Sequence, residues 1–141
     1  MDNLRRTNLK TLVRYLSELP EDYEHFEMSV YNDDDQSGYG IKTYGHCRTA
    51  ACAVGHGPYA GIPKHDEEDF EDYSNRCFVG DVGSAEWSWC FSDTWSKVDN
   101  TPHGAAKRIQ YMLDHGVPEA FKLYGSHEKG IYSDTEVLRG F

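Results

Sequence analysis

The stretch GHCRTAACAVGHGP, residues 45–58, is predicted to form a short buried helix at the centre of the fold. Its middle consists of small side chains that allow close packing, namely Ala50, Ala51, Ala53 and Val54. Gly55, Gly57 and Pro58 follow, and residues of these types commonly end helices. The same stretch contains two cysteines and two histidines, so thiol and metal chemistry both have to be considered.

Cys47 and Cys52 allow three interpretations. In the main one, both are free thiols that fill core space as small apolar side chains. In the second, Cys47 is a nucleophile at the helix N-terminus, where its pKa is lowered, and His56 is one of several histidines available as its base. In the third, Cys47, Arg48 and Thr49 bind a small anionic ligand at the helix start, with Arg48 as counter-charge. The residues alone leave these three open.

Two more specific sites, the loop of a Cys-dependent phosphatase and a structural zinc site, lack residues that they require. The loop of Cys-dependent phosphatases needs an arginine at the position that Ala53 occupies here. A structural zinc site needs four ligands, whereas Cys52 and His56 supply only two, about 40° apart on a helix. The chain also has no pair of cysteines separated by two residues. We therefore expect no metal and no cofactor.

The 141 residues have a formal net charge of −10, and the acids are concentrated in two runs. Residues 21–35 hold seven acids without a lysine or arginine, and residues 66–72, DEEDFED, hold six. The negative electrostatic potential of these acids repels nucleic-acid phosphates, so no direct DNA or RNA binding is expected. Acidic runs commonly form solvated surface, but they also suit docking on a basic protein. The residues predicted to bind such a partner are Asp66, Glu67, Glu68, Asp69, Glu71 and Asp72.

The length fits a single domain, which we place at residues 1–125, with residues 126–141 as a loosely attached C-terminal segment. Aromatic residues make up 13% of the chain, so a largely aromatic core is expected. No apolar run approaches the ~20 residues of a membrane span, and the first residues lack the apolar segment of a secretory leader. The sequence thus predicts a cytoplasmic protein without membrane contacts.

Before residues 45–58, the sequence pattern predicts one helix followed by two strands. The helix has Thr7 or Asn8 as its N-cap and ends at Pro20. Its apolar stripe consists of Leu9, Leu12, Val13, Leu16 and Leu19. Residues 26–31 alternate in polarity, and residues 39–44 are their predicted hairpin partner. The expected fold is a single compact α+β domain, mostly helical, with a short β-hairpin after the first helix.

Three further helices are predicted in the second half. One covers the acidic run and is entered through Pro63. Residues 86–95, EWSWCFSDTW, fit both helical and strand spacing, and we prefer a helix. The last helix has Thr101 as N-cap, Pro102 at its first position and Gly116 at its end. Its apolar stripe consists of Ala105, Ile109, Met112 and Leu113.

The segments FEMSVY, CRTAACAVGH, WSWCFSDTW and NTPHGAAKRIQYML together resemble small uncharacterised proteins of phages and bacteria. Those proteins combine a Phe-x-Met pattern and a Cys-Gly-Thr-x-x-Cys-x-x-Gly motif with a Trp-rich segment and a Thr-Pro-initiated helix. The matching residues are Phe26, Met28, Cys47, Thr49, Cys52, Gly55, Trp95, Thr101, Pro102 and Ala106. This chain departs from the pattern at Arg48, where a glycine is usual.

The resemblance implies a phage accessory protein in the host cytoplasm, serving host takeover or counter-defence. Together with the charge, it predicts a non-enzymatic protein that inhibits or redirects a host factor through an acidic surface. Sequestration of a small anionic ligand at Cys47, Arg48 and Thr49 is a related version. The alternative is a Cys-dependent hydrolase or transferase with Cys47 as nucleophile.

Overall fold

The computed structural model describes residues 2–23, 26, 52–92, 95, 99–119 and 121. These residues contain four helices: α1 (Asn3–Glu18), α2 (Phe70–Cys77), α3 (Ala85–Phe91) and α4 (Pro102–His115). None of the helices in this described part has the length and apolar character that crossing a membrane requires. The buried apolar side chains form one cluster to which all four helices contribute.

The leucine stripe of α1 is buried as its spacing predicts. Leu9, Leu12 and Leu16 are completely inaccessible to solvent. The helix ends at Glu18, directly before Leu19 and Pro20. Pro20 cannot continue the helix because it lacks the N–H that the helical hydrogen bond needs. The prediction of this first helix is therefore confirmed.

The predicted N-cap of α1 is wrong. Asp2 occupies that position, and its carboxylate accepts a hydrogen bond from the Arg5 N–H at 2.8 Å. Because an aspartate at this position satisfies a free amide at the helix start, the helix begins before Thr7 and Asn8. The side chain of Asn8 has a different role, since it donates to the carbonyl of Cys77 in α2 at 3.0 Å.

α4 agrees with its prediction at both ends. The Thr101 hydroxyl accepts the Gly104 N–H at 2.9 Å, and Pro102 is the first helical residue. Gly116 ends the helix with a φ of 79°, a conformation that glycine adopts without strain. Its N–H donates to the Met112 carbonyl at 2.8 Å. The predicted apolar stripe is buried in the core.

α1 and α4 pack against each other in antiparallel orientation. A guanidinium nitrogen of Arg6 near the start of α1 donates to the Leu113 carbonyl near the end of α4, at 3.1 Å. At the other end, the His103 Nε2 lies 2.6 Å from the carbonyl of Leu19. This helix pair brings the beginning of the chain next to residues 99–115.

The core is largely aromatic, as the composition predicts. Its largest completely buried side chains include Trp89, Trp95, Tyr73, Phe70, Phe78 and Phe121. Trp89 makes edge-to-face contacts with Trp95 and Phe121, with ring centroids 5.6 and 5.1 Å apart. The preference for a helix in residues 86–95 is confirmed over Ala85–Phe91. The helix of the acidic run begins later than predicted, at Phe70.

The expected α+β fold with an N-terminal hairpin is wrong, since the described residues form four helices and no strand. Of the residues assigned to the hairpin, Phe26 alone is described. Its N–H donates to the Tyr23 carbonyl at 3.3 Å, and its ring stacks on His56 with centroids 5.5 Å apart. A turn after α1 thus buries this ring.

The predicted central helix is also wrong over the part that the structure describes. Residues 52–61 form consecutive turns. The His56 N–H donates to the Cys52 carbonyl and the Ala60 N–H to the His56 carbonyl, each at 3.0 Å. The burial was predicted correctly, because Cys52, Ala53 and Val54 are all in the core. Residues 45–51 lie outside the described residues, as do residues 126–141, so the C-terminal boundary stays a prediction.

Candidate functional site

The six acids predicted to bind a partner are all described, and they fall into two groups. They lie in residues 66–72, which we call the acidic segment and which comprises the loop before α2 and its first turn. Glu68 and Asp69 are half-buried and have internal hydrogen-bond partners. The remaining four are exposed: Asp66, Glu67, Glu71 and Asp72.

Glu68 forms a bidentate ion pair with Arg76. The Nε and Nη2 atoms of the arginine each lie 2.7 Å from one oxygen of the carboxylate. Glu68 also accepts the His65 N–H at 3.0 Å. The hydrogen bond from Arg76 lowers the pKa of Glu68, against the opposite effect of burial. This carboxylate therefore holds the turn before α2 together and is not available to a partner.

Asp69 starts α2. Its carboxylate accepts the Asp72 N–H at 2.8 Å, which satisfies one of the free amides at the helix N-terminus. Glu71 and Asp72 occupy the first turn, where negative side chains interact favourably with the helix dipole. The acidic sequence of this segment is thus also what makes α2 begin here.

The base of the acidic segment is anchored in the core. Phe70 is completely buried, and the ammonium of Lys64 lies 5.4 Å from the centre of its ring. The Tyr73 hydroxyl donates a hydrogen bond to the Ile62 carbonyl. The chain before the segment and the helix after it are therefore tied to each other, so the exposed acids are presented from a fixed backbone.

The exposed acids produce a local excess of negative charge. Within the described ranges, none of these four carboxylates forms an ion pair. The guanidinium of Arg76 is bonded to Glu68, and the ammonium of Lys64 is buried against Phe70. Neither nearby cation is therefore directed at the exposed acids. Such a surface attracts cationic groups over distances comparable to the Debye length.

The predicted ligand-binding residues Cys47, Arg48 and Thr49 lie outside the described residues. The base assigned to Cys47 in the enzyme alternative, His56, is buried with 2% of its surface exposed. Among the described residues, four aromatic rings lie with their centroids 5.5–5.9 Å from its imidazole, those of Tyr15, Tyr23, Phe26 and Tyr59. Burial, reinforced by neighbouring tyrosines, raises the pKa of Tyr15 to about 12. The pairing of Cys47 with His56 stays a prediction.

The three described cysteines are all buried. Cys52, Cys77 and Cys90 expose at most 2% of their surface. Burial raises the pKa of Cys77 and, more strongly, that of Cys90. Cys52 has the position that the core interpretation predicts. In the part of the chain that the structure describes, no three His, Cys, Asp or Glu side chains are arranged to hold a metal ion.

A cleft of about 510 Å³ lies between α1 and α4. Its polar lining includes Ser17, Glu21, Asp99, Thr101, His103 and Lys107. The Asp99 carboxylate accepts the Thr101 hydroxyl at 2.6 Å, which holds it at the start of α4. Apart from Thr101, the predicted N-cap of α4, none of these residues was singled out from the sequence. They come together because α1 and α4 are neighbours, with half of these residues in the two helices and the other half in the segments next to them.

Arg108 is a second feature that the sequence reading missed. Its side chain is 1% exposed, although arginine is rarely buried without a charged or hydrogen-bonded partner. One sequence signal was available. Arg108 follows Ala105 by three residues and precedes Met112 by four, so it lies within the apolar stripe of α4.

Comparison with known proteins gives no match of this chain to a family model, to a curated protein or to a solved structure.

Proposed function

We propose that this chain is a phage-type accessory protein that binds a basic surface of a host protein through its acidic segment. The observation that carries the proposal is the division of the six acids. Glu68 and Asp69 form the internal hydrogen bonds of the turn and of the helix start. The other four carboxylates are exposed, on a backbone that these hydrogen bonds hold in place. This arrangement supports binding because the acids need little ordering when a partner arrives.

Charge favours a cationic partner in two ways. Complementary charges increase the rate of encounter, and the exposed carboxylates of the segment offer acceptors for lysine and arginine donors. Basic surfaces of cellular proteins commonly bind nucleic acids and other polyanions. A protein that covers such a surface competes with those ligands, so binding alone would inhibit or redirect the host factor.

The test compares two charge-reversal variants of the full chain. The first replaces the four exposed acids of the segment by lysine and retains Glu68 and Asp69, whose internal hydrogen bonds hold the turn and the helix start. Because Glu71 and Asp72 also interact favourably with the α2 dipole, circular dichroism must show that this variant keeps the helix content of the wild type. The second reverses four exposed acids elsewhere, namely Glu18, Glu21, Asp22 and Asp114. Both variants change the net charge by the same amount. A difference in partner capture between them therefore shows that the position of the acids matters and not only the net charge.

Affinity capture from bacterial host lysate, followed by mass spectrometry and binding measurements with the purified partner, gives the readout. We expect the wild type and the second variant to capture the same basic protein and the segment variant to lose it. Undiminished capture by the segment variant would refute the proposal. Equal loss in both variants would also refute it, since only net charge would then matter.

A further inference from the structure

The α1–α4 cleft is lined by side chains of opposite charge at different positions along its length. Glu21 and Asp99 lie at the end of the cleft where α1 has ended and α4 begins, and Lys107 lies further along α4. In the part of the chain that the structure describes, no ion pair joins Lys107 to either carboxylate. The cleft therefore has an anionic end and a separate cationic group.

The anionic end of the cleft is held in place by hydrogen bonds between separate parts of the chain. The Nε2 of His103 lies 2.6 Å from the Leu19 carbonyl, and this nitrogen is the donor because a carbonyl oxygen can only accept. The chain just after α1 is thus tied to the first turn of α4. Asp99 is fixed at the same end, since its Oδ1 accepts the Thr101 hydroxyl at 2.6 Å.

The second oxygen of the Asp99 carboxylate, Oδ2, accepts no hydrogen bond from the described residues, since both bonds from Thr101 go to Oδ1. The carboxylate lies against Gly104, where a methyl group would overlap it. Glycine at this position therefore allows the carboxylate to lie against the first turn of α4. One of its oxygens can still accept a hydrogen bond from a ligand.

The cleft has room for a small molecule and is accessible from solvent. Its volume of about 510 Å³ is within the range of roughly 300–1,000 Å³ that ligand sites commonly have. Glu21 and Lys107 are exposed, whereas Gly104 and Ala106 are buried and contribute a lining of small residues. A ligand can thus reach the charged groups without displacing any part of the core.

We propose that this cleft binds a small zwitterion whose ammonium pairs with Glu21 and Asp99 and whose carboxylate pairs with Lys107. Lys107 follows Gly104, against which Asp99 lies, by three residues, about 4.5 Å along the helix axis. A dipeptide in extended conformation separates its terminal charges by about 7 Å, a distance that the long lysine side chain can accommodate.

The balance of charge in the cleft favours a carboxylate over a phosphate as the anionic group of the ligand. Two carboxylates, those of Glu21 and Asp99, face one ammonium, that of Lys107, so the cleft repels a dianion more strongly than a monoanion. The site uses none of the acids of the acidic segment. It therefore adds a ligand to the proposed function and can be tested separately from it.

The experiment is a nuclear magnetic resonance titration of the wild-type full chain with the dipeptide alanyl-alanine, followed through the backbone amide signals of Gly104 and Lys107. Two blocked dipeptides are compared at the same pH and ionic strength. N-acetyl-alanyl-alanine lacks the ammonium, and alanyl-alanine amide lacks the carboxylate. We expect a saturable shift with alanyl-alanine and binding at least about threefold weaker for each blocked dipeptide, as exposed ion pairs contribute.

Variants of exposed residues assign the two charges of the ligand. Lys107→Gln should bind alanyl-alanine as weakly as the wild type binds its amide and should no longer distinguish the two. Glu21→Gln should bind alanyl-alanine more weakly and reduce its advantage over the acetylated dipeptide. Lys10→Gln and Asp114→Asn change the charge equally at exposed positions that do not line the cleft, and both should retain the wild-type affinities.

The proposal would be overturned by the absence of a saturable shift with alanyl-alanine, or by equal affinity for all three dipeptides. It would also be overturned if Lys107→Gln still preferred the free carboxylate as the wild type does. Equal losses in Lys107→Gln and Lys10→Gln would count against it as well, since net charge alone would then explain the binding.

Discussion

The Cα of Gly57 lies so close to the phenol ring of Tyr73 that a methyl group on the glycine would overlap the ring. This contact joins the turns of residues 52–61 to α2. The same phenol donates its hydroxyl proton to the Ile62 carbonyl. One side chain therefore holds the turn segment and the backbone that leads into the acidic segment.

Gly57→Ala should destabilise the protein by about 1–3 kcal/mol, the usual cost of forcing an extra methyl group into a packed core. The new Cβ has to displace the Tyr73 ring, which also strains the hydrogen bond to Ile62. Urea unfolding followed by tryptophan fluorescence measures the change. Gly83→Ala is the matched control, because its Cβ would meet only the Asp81 carboxylate at an ordinary 3.4 Å. Equal stability of the two variants would contradict the packing described here.

Glu68→Gln should lower the free energy of unfolding at neutral pH by about 1–2 kcal/mol, since it removes a charge-assisted pair with Arg76. The folded-state pKa of Glu68 is below its ordinary value of 4.5. Its contribution to stability is therefore fully present above the unfolded pKa and is lost as the pH falls through the folded pKa. The difference between wild type and variant should shrink steadily below about pH 4.5.

Urea unfolding at several pH values between neutral and acidic conditions measures this dependence. Glu67→Gln, which changes an exposed neighbour, is the control and should have little effect on stability. A difference between wild type and Glu68→Gln that stays constant with pH would show that the ion pair does not contribute as argued.

Iodoacetamide at neutral pH should leave Cys52, Cys77 and Cys90 unlabelled in the native protein. All three are buried, and a raised pKa keeps Cys77 and Cys90 in the unreactive thiol form. Mass spectrometry of digested protein gives the labelling at each position, and urea-denatured protein, in which every cysteine should react, is the control. Rapid native labelling of any of the three would refute their placement in the core. Rapid labelling at Cys47 would support the enzyme alternative, and slow labelling there would count against it.

Helix ends that depend on neighbouring residues were predicted well from the sequence. Thr101, Pro102 and Gly116 define α4 as expected, because a cap interaction involves residues within one turn of each other. The cap of α1 was misplaced, since Asp2, Thr7 and Asn8 are all suitable types and local chemistry does not choose among them. The structure chooses Asp2 and uses Asn8 to bind α2.

Two other predictions that failed concern segments whose conformation depends on distant residues. Phe26 was assigned to a strand from its alternation pattern, but it is buried by His56, thirty positions along the chain. The small residues near Cys52 were assigned to a helix, but the described residues 53–61 form turns, in which Gly57 closely approaches Tyr73. Small side chains permit close contact in any backbone conformation, so they predict burial better than they predict a helix.

By itself, the sequence determined the aromatic core, the leucine face of α1, both ends of α4 and the concentration of negative charge in residues 66–72. These features depend on composition or on residues within a few positions of one another. Only the tertiary structure decided which acids remain exposed, which arginine is buried in the core and where a cleft opens. The physical reason is that hydrogen-bond partners such as Arg76 for Glu68, and neighbours such as Trp95 for Arg108, are brought into contact by packing of separate elements.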